Sequence, residues 1–242
     1  MYDSLLYKRE YLIGENIILN IPTVGDAIDA GIWYNRILDM FTAMPIDFMV
    51  PLDDMGIDFS EIDDWQLFLL LFSSAKNGMG VGIRSDLLFK NIDLMDFQMA
   101  QKDGTDDVVL INPTTSLVFD KLLYRHISAA VCTIFGRKKD RRRPANEDAR
   151  LYMIEVERRK MKRRNRKRHK PELESLIVAM VNTEQFKYNF RTVRELTIYQ
   201  FNESVKQILT KVDYEHRMHG IYSGTLDAKS LSDKELNWLI HD

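Results

Sequence analysis

The sequence predicts a mainly α-helical protein of the α+β class, with helical-bundle parts, a small β-hairpin region and one long basic helix. Three observations support this prediction. Helix-start signals recur and are followed by apolar residues three to four positions apart. Short apolar stretches flank turn-forming residues near the N-terminus and mid-chain. One segment, residues 137–170, concentrates basic residues between two more apolar parts.

The first elements are a predicted hairpin and a helix. EYLI and NIILNI flank Gly14 and Glu15, an order typical of a short hairpin. Thr23 is then expected to cap a helix in which Asp26 lies near the positive end of the helix dipole. Its apolar residues recur at helical spacing and predict one buried face: Ile32, Trp33, Ile37, Met40 and Phe41.

The middle of the chain predicts two further helices around a small β region. A helix capped at Ser60 is apolar almost all round, which suits a core or an interface. The glycine-rich stretch 77–86 has no Gly-Lys-Ser/Thr ending, so it predicts a connection rather than a phosphate loop. Two short strands are expected at 92–99 and 108–112, and the helix that follows is expected to end at Gly136.

The C-terminal part predicts three more helices. An amphipathic helix follows Pro171. Thr192 with Glu195, and Ser232 with Glu235, have the spacing of capping boxes that begin two later helices. The last helix is expected to shield its apolar residues from water: Leu236, Trp238, Leu239 and Ile240.

Charge is strongly segregated along the chain. Residues 137–170 hold 17 Lys and Arg against 5 acids, a net charge of +12, and the whole chain is at −2, so the remainder is at −14. Asn146 is expected to cap a helix in this segment, with Leu151, Tyr152, Ile154 and Met161 available for burial. This pattern predicts a helical domain with small β elements over 1–136, a basic helix or linker over 137–170, and a helical region over 171–242. Opposite charges favour association of the basic segment with the acidic body, in one molecule or between copies.

The residue types that carry chemistry are sparse or wrongly spaced. Cys132 is the single cysteine, which excludes an intramolecular disulfide, and its apolar neighbours predict burial. His216 and His219 lie three residues apart, whereas zinc hydrolases of the His-Glu-x-x-His type need four. The adjacent carboxylates Asp53–Asp54, Asp63–Asp64 and Asp106–Asp107 suit turns and helix starts better than acid–base catalysis. We therefore predict no catalytic, cofactor-binding or metal-binding residues, no cofactor, and no enzyme activity.

The sequence also bears on location. No run of eighteen apolar residues is available for a membrane span, and the N-terminal residues lack the pattern of a secretory signal. A cytoplasmic protein without a membrane partner is expected.

The basic segment permits two kinds of partner. Phosphate contacts would make nucleic-acid affinity fall steeply with salt. However, residues 158–170 contain no aromatic side chain for base stacking. An acidic protein surface is therefore the favoured partner, with nucleic acid as the alternative.

Several phrases of the sequence resemble proteins encoded in the tail-morphogenesis region of phages and prophages of Gram-positive bacteria. These phrases are IPTVGDAID, FTAMPIDFMVPLDDMGIDF, YQFNESVKQI and IYSGTLDAKSLSDKELNWL. The resemblance spans most of the chain but includes no catalytic motif. It implies a tail assembly protein similar to the chaperones that bind the tape-measure protein, located in the bacterial host cytoplasm or in the virion.

The resemblance and the charge pattern together predict a non-enzymatic, chaperone-like protein that binds another phage tail protein, the tape measure or the tail tube, or a second copy of itself. Two alternatives stay open: a nucleic-acid-binding accessory protein that uses the basic helix of 137–170, and a minor structural component of the virion. The predicted partner-binding residues are Arg158, Arg159, Lys160, Lys162, Arg163, Arg164, Arg166, Lys167, Arg168 and Trp238.

Overall fold

A computed structural model describes residues 4–78, 83–102, 104, 107–165 and 172–239. The chain is mainly α-helical with two small antiparallel sheets, as predicted. The helices are α1 (Val24–Ala30), α2 (Ile32–Thr42), α3 (Met49–Asp54), α4 (Asp64–Lys76), α5 (Lys121–Phe135), α6 (Glu147–Asn165), α7 (Glu172–Val181) and α8 (Ile198–Tyr222). The strands are β1 (Glu10–Ile13), β2 (Ile17–Asn20), β3 (Gln98–Gln101), β4 (Val108–Ile111) and β5 (Val118–Phe119).

The predicted N-terminal hairpin is confirmed. Strands β1 and β2 pair antiparallel with Ile13 opposite Ile17, and Gly14 takes the positive φ of 59° that the turn requires. Ile17 and Leu19 alternate inward along β2 and are buried. The hairpin thus closes one side of the core.

The predicted helix after Thr23 begins where expected. The structure divides it into two helices, α1 and α2. Thr23 and Asp26 form a capping box at the start of α1. Gly31, at φ 57°, then interrupts the helix, and α2 continues in a new direction from Ile32. Ile37, Met40 and Phe41 are buried and Trp33 packs half-buried against the core, whereas Ile32 is exposed, so the predicted apolar face is wrong at Ile32.

The middle of the chain differs from the prediction in its boundaries. Helix α4 is capped by Asp63 rather than by the predicted Ser60. The Ser60 hydroxyl instead donates a hydrogen bond to Asp58. The strand predicted at 92–99 begins at Gln98, because Leu94–Asp96 forms a turn of 3-10 helix. Strand β5 was not predicted, and it completes a sheet of order β3-β4-β5. The predicted glycine-rich connection falls partly on residues outside the described ones.

The core is built around aromatic side chains from α2, α4 and α5. The ring centroids of Phe68 and Tyr124 lie 5.0 Å apart, and those of Phe41 and Phe68 lie 5.2 Å apart. Phe119 of β5 packs 5.5 Å from Phe68. All four side chains are fully buried. Helix α5 ends where predicted, at Gly136 in the left-handed conformation.

The C-terminal elements contribute to the same hydrophobic core. Ile177 and Met180 of α7 and Phe201 of α8 belong to a cluster that also contains residues of β2, α1, α2, α4 and α5. The Asn202 amide donates to the carbonyl oxygen of Phe135 at 2.9 Å. The division of the chain into three parts at 136 and 170 stays a prediction.

The two predicted C-terminal capping boxes are corrected by the structure. Thr192–Glu195 is a 3-10 turn, and α8 begins at a capping box between Thr197 and Gln200. The Ser232 amide and hydroxyl both donate to Glu235, but residues 233–239 form turns rather than a helix. The expected shielding of the apolar C-terminal residues is wrong for Leu239, which is exposed, while Ile240 lies outside the described residues.

Candidate interaction surface

The basic helix α6 has the capping chemistry that its sequence predicts. The amide of Ala149 donates to Asn146 Oδ1 at 2.8 Å, which closes the first turn. Glu147 and Asp148 lie at the positive end of the helix dipole, and Lys162, Arg163 and Arg164 lie at the negative end. We call residues 147–158 the anchored half of α6 and residues 159–165 its free end.

Ile154 fixes the anchored half to the body of the protein, and the half-buried Met153 packs beside it. Ile154 is 4% exposed and packs in a second hydrophobic cluster with Leu52, Phe59 and Leu67. Leu151 and Tyr152, which were also expected to be available for burial, are exposed at 50% and 68%. The helix therefore packs against α3 and its neighbours through one face.

Ion pairs flank this apolar contact on both sides. Arg150 Nε lies 3.2 Å from Asp58 Oδ2. Burial disfavours the charged form of Asp58, but hydrogen bonds from Ser60 and the charge of Arg150 outweigh it and lower its pKa. Further along, Arg158 forks between Asp53 and Asp54 with two contacts of 2.7 Å. The hydrogen bond to Asp54 contributes most to the raised pKa of Arg158.

The free end makes its contacts within the helix. Arg159 pairs with Glu155, and both Lys160 and Arg164 pair with Glu157 at 3.2 and 3.7 Å. The first two pairs have the i,i+4 and i,i+3 spacing usual on a helix surface, and Arg164 reaches Glu157 from two turns away.

Two predicted partner-binding residues of the free end are left unpaired. Lys162 and Arg163 are exposed and form no ion pair within the described part of the chain. Arg166, Lys167 and Arg168, which were also predicted to bind a partner, lie outside the described residues. Lys162 and Arg163 are therefore the described cations of α6 most open to a partner.

The basic residues before α6 lie along the body of the protein. Residues 137–144 run without helix, turn or bend. The side chain of Lys139 is 10% exposed and forms an ion pair with Asp64 at 2.6 Å. Its ammonium lies 5.2 Å from the centroid of the Tyr124 ring. Arg137 donates to Asn35 Oδ1 at 3.2 Å, and the Arg142 guanidinium donates two hydrogen bonds to the Asp140 carboxylate. The contacts of Arg137 and Lys139 therefore hold the start of the segment against α2, α4 and α5.

A groove of about 780 Å³ lies between this segment and the body. We call it the basic groove. Its cationic lining is Arg125, Arg137, Lys138, Lys139, Arg141, Arg142 and Arg143. Its carboxylates are Asp63, Asp64 and Asp140, each of which already pairs with a Lys or Arg. The lining therefore carries a net charge of +4.

The sequence located the charge of this region but missed the groove. Arg125 belongs to α5 and comes twelve residues before the charge run, so no local pattern connects the two. The Asp63–Asp64 pair was noted as a helix start, and Asp63 does cap α4. The two carboxylates also form ion pairs with Lys121 and Lys139, and these pairs depend on the tertiary structure.

Trp238 contacts residues of α8 rather than the basic helix α6. Its carbonyl oxygen accepts from Gln207 of α8 at 3.2 Å, and Lys211 Nζ lies 5.6 Å from its ring centroid. The indole is half-buried against α8. Trp238 thus fastens the C-terminal residues to α8, and its predicted role in partner binding stays a prediction.

The other residues singled out in the sequence are not brought together. Cys132 is half-buried rather than buried, it lines the basic groove, and burial raises the pKa of its thiol. His216 and His219 are exposed on α8. Among the described residues, no group of three or more His, Cys, Asp or Glu side chains is arranged to hold a metal. Within the same residues, no helix combines the length and apolar character that crossing a bilayer demands.

One known protein family matches the C-terminal part of the chain. Residues 163–241, about a third of the chain, match the family model described as YomV second domain. The match relates this part of the chain to a phage-derived family. It begins at Arg163, so it contains α7 and α8 and leaves the anchored half of α6 outside. No curated protein and no solved structure matches the chain.

Proposed function

We propose that the protein is a non-enzymatic phage tail assembly protein, acting in the host cytoplasm as a chaperone-like binder of another tail protein such as the tape measure. One observation carries the proposal. Helix α6 is held to the body by its anchored half and presents Lys162 and Arg163 without a partner in the described residues. The phage-derived family of residues 163–241 supports the phage context.

The contacts of the anchored half indicate what kind of surface the free end would recognise. Arg150 and Arg158 both pair with carboxylates of the body, at Asp58 and at Asp53–Asp54. The free end carries the same side chains on the same helix. An acidic protein surface would pair with it in the same way, and exposed charges of this kind accelerate association and select the partner.

Co-expression with the tape-measure protein of the same phage, followed by affinity purification, tests the proposal. We expect a complex that is lost or greatly reduced when Lys162→Glu and Arg163→Glu are combined, because both charges at the contact are reversed. The matched control is Lys187→Glu with Lys206→Glu, an equal charge change at two exposed positions outside the basic segment. Equal retention of the complex by both double variants would contradict the proposal.

A nucleic-acid accessory role is the second candidate, and the unpaired Lys162 and Arg163 are the observation that favours it, since phosphates would also bind them. Titration of DNA and RNA at two salt concentrations separates the two roles. The nucleic-acid role predicts salt-sensitive binding that the Lys162→Glu, Arg163→Glu variant loses, and the assembly role predicts no such binding.

The two assembly roles differ in whether the protein stays in the particle. A chaperone leaves before maturation, whereas a minor structural component of the virion remains. Mass spectrometry of purified particles distinguishes them, and we expect the protein to be absent.

A further inference from the structure

We propose that the basic groove is a second binding site, separate from the free end of α6, and that it takes an extended acidic peptide with apolar side chains between its acids. Its volume of about 780 Å³ lies within the ~300–1,000 Å³ usual for ligand sites. The proposal rests on the charge of its walls, on their apolar parts, and on the backbone of the segment that forms one side.

Charge complementarity selects an anionic ligand. Arg125, Arg141 and Arg143 line the groove, are exposed, and form no ion pair within the described ranges of the chain. The three carboxylates of the groove are already neutralised by Lys or Arg partners. The unpaired guanidinium groups are therefore available for carboxylates of a ligand, which they can bind through two parallel hydrogen bonds.

The apolar lining favours a peptide over a nucleic acid. Met44, Ile46, Phe59 and Ile62 form part of the wall. Alternate side chains of an extended peptide point to opposite sides, so apolar residues between acids would contact this wall. A phosphodiester backbone offers acceptors only, whereas a peptide also brings N–H donors.

The backbone of residues 138–143 provides a third reason. In the described part of the structure, its one hydrogen-bonded amide is that of Arg142, which donates to Asp140. The segment is also free of turns and bends. Unpaired backbone amides and carbonyls along a segment without turns are what an extended peptide pairs with when it adds as a strand.

Fluorescence anisotropy with the full chain tests the site. The probe is a labelled peptide of alternating Asp and Leu residues. We expect saturable binding that weakens about tenfold or more in the Arg141→Glu, Arg143→Glu double variant. Replacing Asp by Asn in the peptide is expected to weaken binding to a similar degree.

Two controls separate the groove from general electrostatic attraction. The Lys162→Glu, Arg163→Glu variant has the same charge change at the free end of α6 and is expected to bind the peptide within about twofold of the wild type. Ala129→Trp changes no charge, sits at an exposed position of α5 that lines the groove, and is expected to block binding sterically.

The inference is overturned by any of three results. The first is a lack of peptide binding. The second is equal weakening by the groove variant and the free-end variant. The third is tighter binding of a single-stranded DNA of matched length and charge than of the peptide, lost in the same groove variant. None of these results depends on whether a tape-measure complex forms, so this site and the proposed function fail independently.

Discussion

The anchored half and the free end of α6 carry similar cations but differ in what those cations contact. In the anchored half, Arg150 and Arg158 reach carboxylates of the body. At the free end, Arg159 and Lys160 contact only acids of α6 itself in the described structure. The halves differ in apolar content, because Ile154 is buried in the anchored half whereas Met161 of the free end is 36% exposed.

The difference teaches that charge alone does not dock a basic helix. Exposed ion pairs contribute little to stability, whereas burial of one large aliphatic side chain contributes about 1.5–3 kcal/mol. Ile154 therefore supplies most of the docking energy, and the arginines beside it select the orientation. The free end lacks such a residue and stays available. The predictions below test this division of roles.

The largest effect is expected at Ile154. We expect Ile154→Ala to lower the free energy of unfolding by about 2–4 kcal/mol, because it leaves a cavity beside Leu52, Phe59 and Leu67. Urea unfolding followed by circular dichroism measures the loss. The matched control is Leu151→Ala on the exposed face of the same helix, with an expected change below about 0.5 kcal/mol. Equal losses in both variants would show that Ile154 does not anchor the helix.

The next effect concerns the segment before α6. Lys139→Met removes the cation from a pair that is largely buried and leaves the Asp64 carboxylate without it. We expect the free energy of unfolding to fall by about 1–3 kcal/mol, since an uncompensated buried charge is costly. Arg84→Ala, which breaks an exposed pair with Asp86, is the control and is expected to leave the free energy of unfolding nearly unchanged. A Lys139 variant as stable as the control would mean that this segment is not held by the pair.

These contacts also show how far the sequence predicts the molecule. Local signals were sufficient for the hairpin around Gly14, for the Thr23–Asp26 cap and for the end of α5 at Gly136, because each depends on residues within one turn. The pairing of Arg158 with Asp53 joins residues 105 positions apart, and no local pattern contains it. The sequence therefore predicted a basic helix and an acidic body, but not which basic residue pairs with which acid.

The start of α8 shows why local signals can mislead. Thr192 with Glu195 and Thr197 with Gln200 have the same capping spacing, so the sequence alone does not choose between them. The backbone decides: the Val24 amide donates to the Leu196 carbonyl, and the Ile198 amide donates to that of Pro22, both at 2.9 Å. These bonds hold residues 196–198 against the start of α1, so Thr197 becomes the cap and α8 begins at Ile198.

A smaller effect separates the two halves of α6 directly. Arg158→Ala is expected to lower the free energy of unfolding slightly at low salt and by less at high salt, because the pair with Asp53 and Asp54 is partly exposed and is screened. Arg163→Ala, at the free end, should change stability by less than about 0.3 kcal/mol at either salt concentration. Urea unfolding at two ionic strengths measures both, and a larger loss for Arg163→Ala would reverse the assignment of the halves.

The smallest effect is a change in pH dependence at Asp58. Its pKa is lowered in the folded protein, so its contacts with Ser60 and Arg150 stabilise the fold above the ordinary aspartate pKa of about 3.9, and this stabilisation is lost as the pH falls through the folded value. Asp58→Asn removes that contribution. Wild type and variant should therefore differ most near pH 7 and converge below about pH 4. Urea unfolding between pH 7 and pH 3 measures the difference, and parallel curves over this range would show that the charge of Asp58 does not stabilise the docked helix.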